Sequence, residues 1–267
     1  MTVNEHCLLY NQSMRNQNSR LLQNHPQIIH TFTTRHGGIS KPPYNSNNLA
    51  FHVGDKAEDV ISNQQSLARS LGYELKKLVH MRQIHSDKVV IVDSTLHGFE
   101  HPPECDALVT DKPNIPLMVM TADCTPVLLF DPVENVIAVA HAGRAGAIKA
   151  IVPKTIKKMQ QHFRCKREDI LVVLGPSIQS CCYEVGEKIA KEVTEEGFGF
   201  AVVERKGRYY LEVNAIIHRQ LQEIGIKQEN IEDLNICNAC ENDTFFSYRA
   251  DSQKTGRIAG VLMLKQP

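Results

Sequence analysis

No apolar run in this chain approaches the roughly 18 residues needed to cross a bilayer, so no membrane span is expected. Net charge is missing as well: 30 Lys and Arg balance 30 Asp and Glu, without a block of like sign. Neither nucleic acid nor an anionic membrane surface is advertised as a partner. The opening MTVNEHCLLYNQSMRNQNSR lacks the basic-then-apolar order of a secretion signal. That points to the cytoplasm and to reduced thiols for the eight cysteines. Internal repeats and low-complexity tracts are also absent. The polar stretches SKPPYNSNN (residues 40–48) and HGFEHPPE (97–104) are too short to be domain linkers and read as loops. At 267 residues, 42% of them hydrophobic, the chain can bury a substantial core. We expect one domain over residues 25–267, with residues 1–24 as a polar extension of it.

Three segments carry helical period. DVISNQQSLARSLG aligns Val60, Ile61, Leu67 and Leu71 and stops at Gly72, a C-terminal cap signal. NAIIHRQLQEIG aligns Ile216, Ile217, Leu221 and Ile224 before Gly225. AIKAIVPKTIKKM is amphipathic, and Pro153 should kink it or mark a fresh first turn. Strand-like runs are more numerous: KVVIVD, DALVT, PLMVM, PVLLF, VIAVA, DILVVLG, RYYLEV and RIAGVLML. Strands and helices do not alternate strictly, which argues against a doubly wound parallel sheet. The expected class is α/β to α+β, a single domain of mixed sheets flanked by helices.

Within TADCTPVLLFDPVENVIAVAHAGRAG, residues 121–146, the segment DPVEN separates two apolar strands and reads as a hairpin turn. With residues 131–134 as the loop, Phe130 faces Asn135, and Cys124 faces His141 on the same side, about 5 Å apart at Cβ. A loop one residue longer would put the two on opposite faces. The pair could be a buried thiol and a satisfied core histidine. Its position at the strand end, beside Asp123 and before Gly143 and Gly146, instead suggests a site. A glycine-rich helix start there would present amide N–H groups to an anion. A cysteine and a histidine so placed suggest a metal, and a catalytic zinc centre needs a third protein ligand. The single C-x-x-C of Cys237 and Cys240 is weak evidence for it. The adjacent Cys181 and Cys182 are not expected to aim at one ion. His85, in the polar setting of Gln83, Ser86 and Asp87, is the better option, although spacing alone does not decide.

The motifs TTRHGGIS, HVGD, RQIHSDKV, DALVTDKP, TADCTPVLLFDP, AHAG, GPSIQSCCYEVG and FFSYR followed by TGR occur in this order. Together they resemble the laccase-domain or polyphenol-oxidase family, also described as multicopper-oxidoreductase-like purine nucleoside phosphorylases. The resemblance runs from about Thr33 to Leu264. It implies a laccase-domain (cytotoxic-necrotizing-factor-like) fold and a zinc ion held by His85, Cys124 and His141. It also implies phosphorolysis of adenosine or inosine to base and ribose 1-phosphate, and deamination of adenosine by a metal-activated water. The expected partners are thus a purine nucleoside and phosphate. Two departures fall beside the implied pocket. The usual H-A-G-W-R-G is here His141-Ala142-Gly143-Arg144-Ala145-Gly146, and the usual double arginine is Arg249-Ala250.

Within that reading, Arg35, Arg144, Arg249 and the amides about Gly143 and Gly146 are candidates to bind phosphate or substrate. Asp123 is the nearest carboxylate for acid–base work, Glu184 a distant second, and Gln83 could orient the base or the water. Three alternatives stand beside it. Copper could occupy the same ligands, with Met118 or Met120 axial, as in a laccase-like polyphenol oxidase. Yet none of the twelve histidines is spaced His-x-His, as clustered coppers would want. Cys124 with His141 as base could form a cysteine hydrolase. The resemblance also admits editing of peptidoglycan precursors.

Overall fold

All eight apolar runs read as strands pair into sheets in the computed structural model, which describes residues 16–94 and 99–266. The chain runs through β1 (Ile28–Phe32), α1 (Ala57–Leu71), β2 (Val89–Ile91), β3 (Ala107–Thr110), β4 (Leu117–Thr121), β5 (Thr125–Asp131) and β6 (Val136–Ala142). It continues with α2 (Arg144–Ile148), α3 (Ile151–Phe163), β7 (Leu171–Leu174), β8 (Glu184–Val185), α4 (Glu187–Val193), β9 (Val202–Arg205) and β10 (Arg208–Leu211). The last elements are α5 (Val213–Glu223), β11 (Ile231–Asp233) and β12 (Ile258–Leu264). An apolar-run criterion passes over β1, β8, β9 and β11. The two-residue β8 and three-residue β11 are too short for a pattern, and β1 is interrupted by His30 and Thr31. Of the 1–24 extension, residues 1–15 lie outside the described residues. The remainder joins the fold: Gln17 pairs with Phe32, and Leu22 is fully buried. Likewise His97 and Gly98 of the second loop lie outside the described residues.

Six strands form a mixed sheet in the order β11-β7-β5-β6-β3-β2. Its outer pairs β11/β7 and β2/β3 are parallel, and its centre is antiparallel. A three-stranded antiparallel sheet, β1-β12-β4, covers one face. The architecture is therefore the mixed α/β to α+β class that the run of elements implies. Strand periodicity explains the layering. Val127 and Leu129 of β5 and Ala138 and Ala140 of β6 point toward α3 and α5, where Ile156, Met159, Ile216 and Leu221 are buried. Leu128, Phe130, Ile137 and Val139 point the other way, against Phe32, Val119 and Leu262 of the smaller sheet.

The α1 segment ends as expected at Gly72, in the left-handed region at φ 74°. Its buried stripe, however, is Val60, Asn63, Gln64 and Leu67, while Ile61 is exposed. The two amides are buried because they donate to the chain at residues 40–49: Asn63 to Ser40 Oγ and Gln64 to the Leu49 carbonyl. Pro153 marks a fresh first turn. Ala150 breaks the chain at φ 60°, and α3 restarts at Ile151 with proline in its first turn, where no amide donor is required.

The hairpin register departs from expectation by two residues. Phe130 faces Ile137, not Asn135, and Pro126 faces His141. The turn is built by Asp131, whose Oδ1 accepts from the amides of Val133 and Glu134, and by Asn135 at φ 54°. The strands consequently extend to Asp131 and Val136. A two-residue slip preserves parity, so Cys124 and His141 stay on one face, diagonal instead of opposite. That face is the one shared by Leu128, Phe130, Ile137 and Val139.

Phe130 is fully buried between the two sheets. Phe130→Ala is expected to lower unfolding stability by about 3–5 kcal/mol, measured by urea denaturation.

Candidate metal centre

His85, Cys124 and His141 converge at the end of the hairpin, each offering one ligand atom within 4.8 Å of the others. His141 is the penultimate residue of β6, Cys124 lies in the bend between β4 and β5, and His85 comes from the loop before β2. The two imidazoles stand edge to face with centroids 4.7 Å apart. His141 is buried, Cys124 half-buried and His85 exposed, so one side of the cluster opens outward. Gly143 is required by close approach: a Cβ there would lie 2.8 Å from Cys124 Sγ and 3.0 Å from His85 Nδ1. Continuing the hairpin pairing one step beyond Thr125 and Ala142 sets Gly143 against Cys124, which is why that space must stay empty.

The carboxylate that organises the cluster is Asp106, which the sequence reading marked only as the start of a strand motif. It is fully buried just before β3. Asp106 Oδ1 accepts from His141 Nδ1 at 2.8 Å and from the His85 amide at 3.0 Å. Its Oδ2 accepts from the amide and hydroxyl of Ser86, both at 2.6 Å, and from the Ile84 amide at 3.3 Å. Burial alone would raise this carboxyl, but the bonds from His141 and Ser86 outweigh it and bring the pKa down to about 2. With Nδ1 given to the carboxylate, His141 keeps Nε2 for a ligand. Burial opposes charge on His141, yet Cys124 and Asp106 beside it raise its pKa to about 9. The same anionic surroundings favour a bound cation. His85, exposed overall, is shifted the other way by partial desolvation of its ring and then by His141, which favours the neutral imidazole, the ligating form. The signal for Asp106 in the sequence was an acid set flush against the apolar run ALVT.

The cluster forms part of the wall of a cavity of about 1380 Å³. Gln83, Asp123, Gly143, Arg144 and Arg249 line it too, as does Met120. The amide of Gln83 is tied at both its nitrogen and its oxygen, donating to the Met120 carbonyl and accepting from the Met120 N–H. Asp123, at φ 91°, accepts from the Ser247 hydroxyl and the Arg249 amide, each at 2.7 Å. Its pKa is raised by burial, against those bonds. Arg144 pairs with Glu192 at 2.9 Å, and Arg249 donates to the carbonyls of Cys182 and Glu184.

Four expectations change. Glu184 does not line the cavity; its carboxylate turns outward from β8 to Arg208. Arg35 is likewise absent from the cavity wall, because its guanidinium braces the carbonyls of Asn45 and Asn242 and lies over Phe246. The anion cradle expected at Gly143 and Gly146 is slight, since α2 spans five residues and Gly146 is buried within it. Met118, weighed as an axial ligand, is fully buried in an apolar cluster with Leu49, Leu67 and Leu78. Tyr183, Tyr248, Phe51, Phe99 and Arg257 are cavity residues to which the sequence reading gave no role. Most lie inside motifs noted above, but an aromatic in a motif does not reveal which way it faces.

Asp106→Asn keeps the shape but loses the charge that orients His141, so affinity for an added divalent metal ion is expected to fall about 10- to 100-fold. Gly143→Ala should also weaken binding, because the new methyl group displaces Cys124 Sγ. Competition against a chelator of known affinity measures both.

Comparison with known proteins identifies the family. The family model described as multi-copper polyphenol oxidoreductase laccase matches residues 29–265. A purine nucleoside phosphorylase of Corynebacterium glutamicum is 40% identical over 233 residues, covering 87% of this chain and 93% of that protein. The purine nucleoside phosphorylase YlmD of Bacillus subtilis is 30% identical over 253 residues, covering 91% of each. The crystal structure of YlmD from Geobacillus stearothermophilus aligns with a TM-score of 0.86 at 28% identity, over 93% of this chain and 94% of its own. The hypothetical protein YfiH of Bacillus licheniformis gives 0.84 at 33% identity, over 90% and 93%. The match spans nearly the whole chain in sequence and in fold, and the chain belongs to the multi-copper polyphenol oxidoreductase laccase family.

Proposed function

We propose that this protein is a zinc-dependent purine nucleoside phosphorylase that also deaminates adenosine. The observation that carries the reading is the meeting of one thiol and two imidazoles, open on one side, at the wall of a large cavity. Relatives named for the phosphorylase reaction supply the substrate class. A sulfur and two nitrogens suit zinc and not magnesium or calcium, which prefer oxygen. Three protein ligands with an open fourth position are the mark of a catalytic zinc centre. Bound there, zinc would supply a Lewis acid and would lower the pKa of water to about 7.

The chain's own groups divide the remaining work. Arg144, Arg249 and Arg257 face a shared cavity and provide positive charge for phosphate. Tyr183, Phe51 and Phe99 offer apolar faces for a purine. In phosphorolysis a phosphate oxygen bonds to the sugar carbon as the carbon–nitrogen bond to the purine breaks. The departing base nitrogen then takes a proton. Asp123 is the carboxyl suited to hold that proton, since burial raises its pKa. Gln83, locked to Met120, holds the wall of the site rigid. In deamination, water adds at the purine carbon bearing the amine and ammonia leaves.

Polyphenol oxidation by clustered coppers is disfavoured. Among the described residues, the one other cluster of metal-type ligands contains only cysteines. A cysteine hydrolase would need Cys124 and His141 alone, and the presence of His85 within the same 4.8 Å favours a metal.

Purified protein incubated with adenosine should release adenine only when phosphate is present, and inosine without it. Chromatography of the products checks both. Loss of the ion removes several kcal/mol of charge stabilisation. His85→Ala is thus expected to lower kcat/KM by about a hundredfold or more for both products. Unchanged turnover in that variant, or oxidation of a phenol by the copper-loaded protein alone, would refute the reading.

A further inference from the structure

Away from the cavity centre lies a second convergence of ligands. Cys181, Cys182, Cys237 and Cys240 bring their sulfurs within 4.8 Å of one another. Cys240 Sγ is 3.4 Å from that of Cys181 and 3.3 Å from that of Cys182, and all four are free thiols. We propose that these four cysteines hold one tetrahedral zinc ion in a closed structural site, tying the loop after β7 to the loop after β11.

Folding brings these loops together through the backbone. The parallel pairing of β7 with β11 continues into a bridge between Ser177 and Cys237. The Ser177 amide donates to the Ile236 carbonyl, and the Asn238 amide to the Ser177 carbonyl. Adjacent cysteines on a strand would point to opposite faces. Here Cys181 and Cys182 sit in a tight turn instead, in which the amides of Cys182 and Tyr183 both donate to the Gln179 carbonyl. Successive side chains in a helical turn diverge less than on a strand, so both sulfurs reach Cys240.

The second pair sits on a turn of its own, in which the Glu241 amide donates to the Cys237 carbonyl. Zinc–sulfur bonds of about 2.3 Å in a tetrahedron place sulfurs about 3.8 Å apart. The observed separations, from 3.3 Å up to the 4.8 Å limit, bracket that value. Four sulfurs answer a closed zinc site, whereas one disulfide would leave two of them without purpose. Positive charge is also at hand for an anionic ion–tetrathiolate unit. Arg205 is hydrogen-bonded to the Ser180 carbonyl and Arg249 to the Cys182 carbonyl.

The placement gives the site a task. The turn bearing Cys181 and Cys182 leads directly into Tyr183, and the loop bearing Cys237 and Cys240 leads to Tyr248 and Arg249, all on the cavity wall. An ion here would fix two walls of the cavity against each other. It is separate from the His85, Cys124 and His141 centre and does not depend on which reaction that centre performs.

Metal analysis of protein purified under reductant distinguishes the two sites. Two zinc ions per chain are expected, falling to one in Cys240→Ser and to one in His85→Ala. His85→Ala protein loaded with cobalt should keep the intense thiolate-to-metal charge-transfer bands of a four-sulfur site. That readout also serves if Cys240→Ser fails to fold. The proposal is overturned if wild type binds one ion that His85→Ala abolishes, or if the cobalt spectrum of His85→Ala lacks thiolate bands. Mass spectrometry showing a disulfide from Cys240 to Cys181 or Cys182 in the reduced preparation would overturn it as well.

Discussion

Five hydrogen bonds converge on the buried carboxylate of Asp106, and the geometry of the His85, Cys124 and His141 cluster depends on them. The same group orients His141 through its ring and anchors the loop that carries His85 through its backbone. Two imidazoles from distant parts of the chain thereby share one reference point. A buried anion is costly unless it is fully bonded. Here three amides, one hydroxyl and one imidazole meet that requirement. The carboxylate also makes its surroundings favourable to positive charge, which a metal satisfies as well as a proton does.

The sheets position what the carboxylate orients. Strand parity puts Cys124 and His141 on the face that packs against the smaller sheet, at the point where that packing ends and the cavity begins. A purely apolar hairpin would stop there. This one instead exchanges side-chain volume for ligands, with Gly143 leaving room for a sulfur and an imidazole. The neighbouring arginines are held by carbonyls or an acid, not left free. Arg249 grips the chain at Cys182 and Glu184, so the cavity wall and the four-cysteine cluster belong to one connected piece of structure.

Much of this was written locally. The period-two pattern in PVLLF and VIAVA gives the central hairpin, because strand alternation is set by neighbours in sequence. Gly72, Pro153 and Gly225 mark helix boundaries for reasons confined to one turn of backbone. The convergence of His85, Cys124 and His141 was legible from the resemblance of their motifs, and the shared face of Cys124 and His141 from parity alone. The exact register was not, because it rests on Asp131 capping its own turn, a choice the apolar pattern leaves open.

What the chain order could not state is which side chains meet across long separations. Asp106 reads as the edge of a strand until tertiary packing surrounds it with donors from residues 84–86 and 141. Arg35 and Glu184 read as site residues, and the fold turns both to structural contacts. Cys181 and Cys182 read as a pair unable to share an ion until a tight turn and a strand bridge bring Cys240 to them from 59 and 58 residues away. Sequence fixed the local geometry because sterics and hydrogen bonding act between near neighbours. Only the packed structure chose the partners, because that choice depends on loop closure and burial summed over the whole chain.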